Sequence, residues 1–93
     1  MNKPKAKAIV TLYTRGGCHL CEEAKQVILP VIWEFEAEMR EVDIDADDEL
    51  RTRYDKQVPL IFVGESLFAR YRVDQADFRR ALAKIAPSRV EEV

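Results

Sequence analysis

The sequence predicts an α/β domain with a small four-stranded mixed sheet, in the order β-α-β-α-β-β-α, and helices on both faces. Three observations carry that expectation. A nearly continuous apolar run from Lys7 to Tyr13 contains Val, Ile and Thr and stops at Gly16-Gly17. Such a run reads as a central strand buried on both faces. Directly after it, Leu20, Ala24, Val27, Ile28, Val31 and Phe35 recur at the three- and four-residue spacing of one helix face. Further on, the apolar residues 59–63, the pair Gly64-Glu65 and the segment Ser66 to Arg70 read as a hairpin with a tight turn. A strand–helix–strand opening crosses over right-handed and makes the first two strands parallel. The hairpin then supplies antiparallel strands.

Taken in order, residues Met1 to Lys5 read as a frayed lead-in, with Pro4 disfavouring regular structure. The first helix is expected over Cys21 to Phe35. Pro30 lies inside it, where proline removes one helical N–H bond and crowds the carbonyl of Gln26, so a kink or break is expected near Leu29. Ile32 and Trp33 widen its apolar surface, Trp33 as core or as an exposed helix edge. Met39 to Ile44 reads as the second strand. Asp45 is expected to cap a short helix over residues 46–54, whose first turn holds Asp47, Asp48 and Glu49 near the positive end of the dipole. Asp74 and Asp77 have the spacing of an N-cap with an acid at the third helical position. They open a last helix to Ala86, with Phe78, Ala81, Leu82 and Ile85 toward the core. Pro87 should end it, leaving Ser88 to Val93 as a loose tail.

Length and charge bound the function. The 93 residues are 47% hydrophobic and 34% charged, the balance of one small globular domain spanning 1–93, with its core at 7–86. The net charge of −2 argues against nucleic-acid binding. Residues 1–50 carry 6 basic and 11 acidic side chains and residues 51–93 carry 9 and 6, so the second half is mildly basic. No apolar run approaches the ~18 residues of a membrane span, and no extended apolar region precedes Arg15, so neither a membrane nor a secretory route is expected. A vicinal cysteine pair without an export signal points to the reducing cytoplasm, where such pairs are more often catalytic than structural. A monomer is expected.

Cys18 and Cys21 are the only cysteines. Residues three apart on a helix have Cβ atoms about 5–6 Å apart, near the reach of a disulfide. Cys18 would face the unpaired N–H groups and positive dipole end of the helix, which favour thiolate over thiol, and Arg15 adds a positive charge nearby. His19, when protonated, would act in the same direction. Cys18 is therefore expected to be the more exposed and more acidic thiol of a redox pair. A closed zinc site needs four ligands, and two cysteines flanking His19 offer poor geometry for one. The remaining metal reading is an iron–sulfur cluster shared between two chains. Arg70, Arg72, Arg79 and Arg80 form either a solvated face or a site for an anionic partner.

Four features carry a resemblance: the Gly-Cys-x-x-Cys step from strand to helix, the stretch from Val42 to Asp45, Val58-Pro59 before a strand, and the hairpin–helix ending. Over roughly residues 7–86 the chain resembles the glutaredoxin-like proteins of the thioredoxin superfamily. That resemblance implies a thioredoxin-like fold and reduction of protein or glutathione-mixed disulfides, with a thiol reductant, glutathione among the candidates, and no tightly bound cofactor. It implies Cys18 as nucleophile and Cys21 as resolving thiol. It makes Pro59 a cis-proline beside the dithiol and gives the Val58 backbone to the incoming substrate. Arg15 stands where the family usually has a lysine near the glycine carboxylate of glutathione. His19-Leu20 replaces the common Pro-Tyr. Counting forward from Pro59, the family's Gly-Gly falls on Ala69-Arg70 and its acidic pair on Arg72-Val73, with Asp74 one residue beyond. A cation would then face the glutathione ammonium, so protein disulfides are expected to be the better substrates. Leu12 occupies the position of the buried carboxylate of thioredoxin. Two alternatives remain at this stage: an iron–sulfur carrier using Cys18 as a ligand, and a noncatalytic binding module of the same fold.

Overall fold

The central strand organises the architecture. In the computed structural model, which describes residues 7–86, β1 (Ile9–Thr14) is paired on both edges. Its neighbours are β2 (Glu38–Asp43), parallel, and β3 (Leu60–Val63), antiparallel. β4 (Ser66–Arg70) adds antiparallel to β3, giving the sheet order β2-β1-β3-β4. The helices are α1 (His19–Phe35), α2 (Asp48–Tyr54) and α3 (Gln75–Ile85), with one 3-10 turn over Ile44–Ala46. The expected β-α-β-α-β-β-α order holds. Expectations for Met1 to Lys5 and for Pro87 to Val93 lie outside the described residues. Among the described residues no helix is long and apolar enough to cross a membrane.

Alternation along β1 sorts its side chains between two faces. Val10, Leu12 and Thr14 are buried on one face, with Ile61 and Val63 of β3 beside Val10 and Leu12 in the core. α1 covers that face with Ala24, Ile28, Val31 and Ile32, and α3 with Phe78 and Leu82. On the other face Tyr13 meets Tyr54 of α2 at 4.9 Å between ring centroids and Phe62 of β3 at 5.7 Å. Helices therefore lie on both faces, but α2 buries none of its own residues and covers only a corner.

Four local expectations need correction. Pro30 does not break α1, which runs through it to Phe35. Ile28, Val31 and Ile32 on either side of the proline are buried, so packing holds both halves on the sheet. The Gln75 side-chain amide of α3 also donates to the Val27 carbonyl at 2.9 Å, in the turn that the proline crowds. Ile85, expected toward the core, is about half exposed at the end of α3, while Trp33 takes the exposed-edge alternative, at 71%. The cap of α2 is Asp47, whose carboxylate accepts from the Glu49 and Leu50 N–H groups, and not Asp45, which is turned to another use described below. α1 begins at His19, two residues earlier than expected, because Cys18 itself is the cap.

The hairpin carries a feature that sequence counting overlooks. Its turn opens on Gly64 at φ 62°, a left-handed conformation that glycine accepts at no steric cost. Past it, Ile61 pairs with Ala69 but Phe62 pairs with Leu67, leaving Phe68 as an extra, bulged residue in β4. Every position after Phe68 is displaced by one from an unbulged count.

Candidate active site

The site forms where β1 runs out of the sheet. Thr14 ends the strand, Gly17 turns the chain at φ 72°, and Cys18 adopts the extended conformation of a helix N-cap (φ −97°, ψ 107°). The Cys21 N–H donates to Cys18 Sγ at 3.1 Å, so the sulfur takes the place that a serine or aspartate oxygen usually fills at a cap. Cys18 and Cys21 are joined as a disulfide with Cα atoms 5.2 Å apart. Cys21 is wholly buried, whereas Cys18 is partly exposed beside the exposed Gly16, Gly17 and His19. An incoming group can reach Cys18 far more readily than Cys21. On reduction, the N–H groups of the first turn stay in place to stabilise a thiolate at Cys18.

Register brings Val58-Pro59 to the same place. Tyr13 pairs with Leu60 in an antiparallel ladder, so the next position back, Pro59, stands across from Thr14 at the end of β1. The Val58–Pro59 peptide bond is cis, as the resemblance implied. Pro59 is buried, and its carbonyl accepts the Tyr71 N–H at 2.7 Å. Tyr71 has a φ of 68° and its hydroxyl donates to the Lys56 carbonyl at 3.1 Å, so one residue braces both sides of the cis bond. No sequence signal pointed to Tyr71, since an unusual φ is anticipated for glycine and seldom for an aromatic residue.

Arg15 is committed elsewhere. Its Nε and Nη2 donate to the two carboxylate oxygens of Asp45 at 3.1 and 2.7 Å, and its Nη1 donates to the Asp55 carboxylate and carbonyl at 3.0 and 2.6 Å. The guanidinium is held more firmly in its charged form, chiefly by the hydrogen bonds to Asp45 and then Asp55. The Asp45 carboxyl is correspondingly pulled below its ordinary range by Arg15. Arg15 thus ties the dithiol turn to both ends of the α2 region, and its charge is neutralised there by two carboxylates. Asp55, which the sequence reading missed, is 40 residues away in the chain.

Arg72 and Asp74 sit on the opposite flank. Arg72 is 77% exposed, with Nη1 3.5 Å from a Glu23 carboxylate oxygen of α1. Together with Ala24, Val27, Tyr71 and Val73 these two line a shallow groove of about 210 Å³. The head of α3 is not at Arg72: Asp74 is its cap and accepts the Asp77 N–H at 2.9 Å. Arg72, where counting from Pro59 put the first of the acidic pair, lies two residues before that cap. Asp74 is the acid at the helix start, with Tyr71 and Arg72 just before it. Among the described residues no three His, Cys, Asp or Glu side chains group to hold a metal ion.

Comparison with known proteins places this arrangement. Residues 9–83 match the family model described as glutaredoxin-like domain (DUF836). The glutaredoxin-like protein NrdH of Salmonella typhimurium is 34% identical over 67 residues, covering 70% of this chain and 80% of that protein. A glutaredoxin-like protein of Dictyostelium discoideum is 25% identical over 72 residues, covering 71% and 67%. Among solved structures, a structural-genomics target protein from X. campestris has a TM-score of 0.67 at 28% identity, covering 84% of this chain and 99% of that one. Thioredoxin-2 of a malaria parasite has a TM-score of 0.66 at 19% identity, covering 88% and 86%, a likeness of fold. The fold is thioredoxin-like.

Proposed function

This chain belongs to the glutaredoxin-like domain family, and on that premise we propose that it is a thiol–disulfide oxidoreductase that reduces disulfides in proteins. One observation carries the reading: a partly exposed Cys18 cap sulfur, receiving a backbone N–H, is bonded to a wholly buried Cys21. In the reducing direction the Cys18 thiolate attacks one sulfur of a substrate disulfide, and the other sulfur leaves as a thiolate. Cys21 loses its proton and attacks Cys18 Sγ, which breaks the mixed disulfide and releases the second substrate sulfur. Two electrons pass from the dithiol to the substrate, and the two protons given up by the cysteines end on the two substrate thiols. An external thiol then reduces the Cys18–Cys21 disulfide, and glutathione is one candidate for it.

Val58 and Pro59 border the path by which a substrate cysteine reaches Cys18, with the Val58 backbone available to an extended segment. His19 sits exposed beside the nucleophile. Glutathione is a weaker partner than protein disulfides in this reading, because Tyr71 and Arg72 put bulk and positive charge just before the Asp74 cap. The protein acts as a monomer in the cytoplasm, with no resident cofactor and no nucleic-acid partner.

The decisive experiment is trapping. Cys21→Ser should accumulate a mixed disulfide between Cys18 and the substrate, and Cys18→Ser should lose reductase turnover. A Cys18→Ser variant that still turns over a disulfide substrate would refute the assignment. Running the native chain with glutathione plus its reductase, and separately with thioredoxin reductase, identifies the electron source.

A further inference from the structure

We propose that the surface around Val58–Pro59 recognises acidic polypeptide: Lys56, Arg70 and Arg72 select disulfide substrates that carry Asp or Glu beside the reactive cysteine. The inference rests on the dithiol reading above and adds a substrate class to it.

Register and contacts place Arg70 and Arg72, and chain position places Lys56 in the lead-in to the cis bond. Arg70 pairs with Leu60 at the end of β4, which puts it at the same end of the sheet as Pro59 and Thr14. Its Nε donates to the Gln57 side-chain oxygen at 3.1 Å, so the guanidinium leans over the segment leading to the cis bond. Lys56 belongs to that segment and is fixed at its carbonyl by Tyr71. Arg72 lies across Tyr71 on the α1 side, against Glu23. An extended substrate strand passing Val58 turns successive side chains to alternate faces. Residues next to its cysteine would meet Arg70 and Lys56 on one side and Arg72 on the other.

The charge balance distinguishes this rim from the rest of the surface. Every other arginine among the described residues lies within 4.0 Å of a carboxylate, whereas Arg70 has only the neutral Gln57. Three carboxylates lie close by, and each is already engaged within the protein. Asp55 is held by Arg15, Asp74 caps α3, and Glu23 makes the loose 3.5 Å contact to Arg72 between two exposed side chains. An acidic ligand can displace Glu23 at little cost, because such exposed pairs contribute little.

The test uses the native chain, dithiothreitol as electron source, and three peptides with one disulfide each, flanked by glutamates, serines or lysines. The glutamate peptide should be reduced at least about fivefold faster than the lysine peptide at low salt, and the gap should close in molar salt. An Arg70→Glu/Arg72→Glu variant should invert that ranking. Equal rates on all three peptides, or an unchanged ranking in the variant, would overturn the proposal while leaving the dithiol reading intact. No turnover of any peptide would overturn both. A glutathionylated serine peptide is the fourth arm: if it outruns the glutamate peptide, the carboxylates recognised are those of glutathione, and the polypeptide assignment fails.

Discussion

Arg15 and Arg72 stand on opposite flanks of the helix that begins at Cys18, and they are used in opposite ways. Arg15 makes four hydrogen bonds to Asp45 and Asp55, two elements away in the chain. Arg72 projects into water with one loose contact at 3.5 Å. The first cation holds the dithiol turn against α2 and has little left to offer a ligand. The second is held by little and can turn to a ligand. A positive residue near an active site in sequence is thus no guide to ligand binding until its partners are known.

The largest way to sharpen this contrast is charge reversal at Arg72. Arg72→Asp should raise the rate of reduction of a glutathionylated peptide about tenfold, since the cation just before the Asp74 cap gives way to a carboxylate that can join Asp74 in holding the ligand ammonium. An efficient native chain that gains nothing from the change would show that the groove before α3 binds glutathione differently. Next in size is the effect of Arg15→Leu on stability. Removing the cation leaves Asp45 and Asp55 facing each other, so Tm should fall by at least about 4 °C in thermal unfolding. Faster amide exchange at Gly16 and Gly17 should accompany it. A variant as stable as the native chain would remove the distinction drawn here.

Reactivity should follow exposure, not proximity to Arg15. In the reduced protein, iodoacetamide should label Cys18 first, with a pH profile below the free thiol value of about 8.5. That profile should be largely retained in Arg15→Leu, because the N–H groups of the first helical turn remain. Fast labelling at Cys21 would reverse the roles of the two thiols.

Acidification tests the same bridge from its other end. Arg15 depresses the Asp45 carboxyl, so the bridge contributes stability above the unfolded aspartate value of about 3.9 and loses it as pH falls through the lowered folded value. Tm measured from pH 6 to pH 2 should therefore drop along the acid limb, and part of that drop should be missing in Arg15→Leu. The smallest effect is Arg72→Leu, which should change stability by no more than about 0.5 kcal/mol, as for an exposed side chain with one loose ion-pair contact.

The element order was legible because each element carries its own signal: a β-branched run for β1, a 3.6-residue stripe for α1, a glycine turn between β3 and β4. The dithiol was legible for the same reason, since Cys18 and Cys21 are near neighbours on one turn. What escaped depended on contacts distant in the chain. The Arg15 clamp needs a partner 40 residues on, and the continuity of α1 through Pro30 goes with burial of Ile28, Val31 and Ile32 against the sheet. Asp47 and not Asp45 caps α2 because Asp45 lies within the 3-10 turn over Ile44–Ala46 that precedes the helix. The bulge at Phe68 was not legible either, because a single extra residue leaves no mark on composition or periodicity.

The central position of β1 also bears on how the chain acquires its shape during synthesis. This strand emerges before both of its neighbours, and Val10 finds its antiparallel partner only at Val63. Until β3 has left the ribosome, one edge of the innermost strand has nothing to pair with, and α1 has no finished surface to lie on. A nascent chain arrested before Leu60 should therefore remain protease-sensitive, and protection should arrive in one step once the hairpin is clear of the exit tunnel.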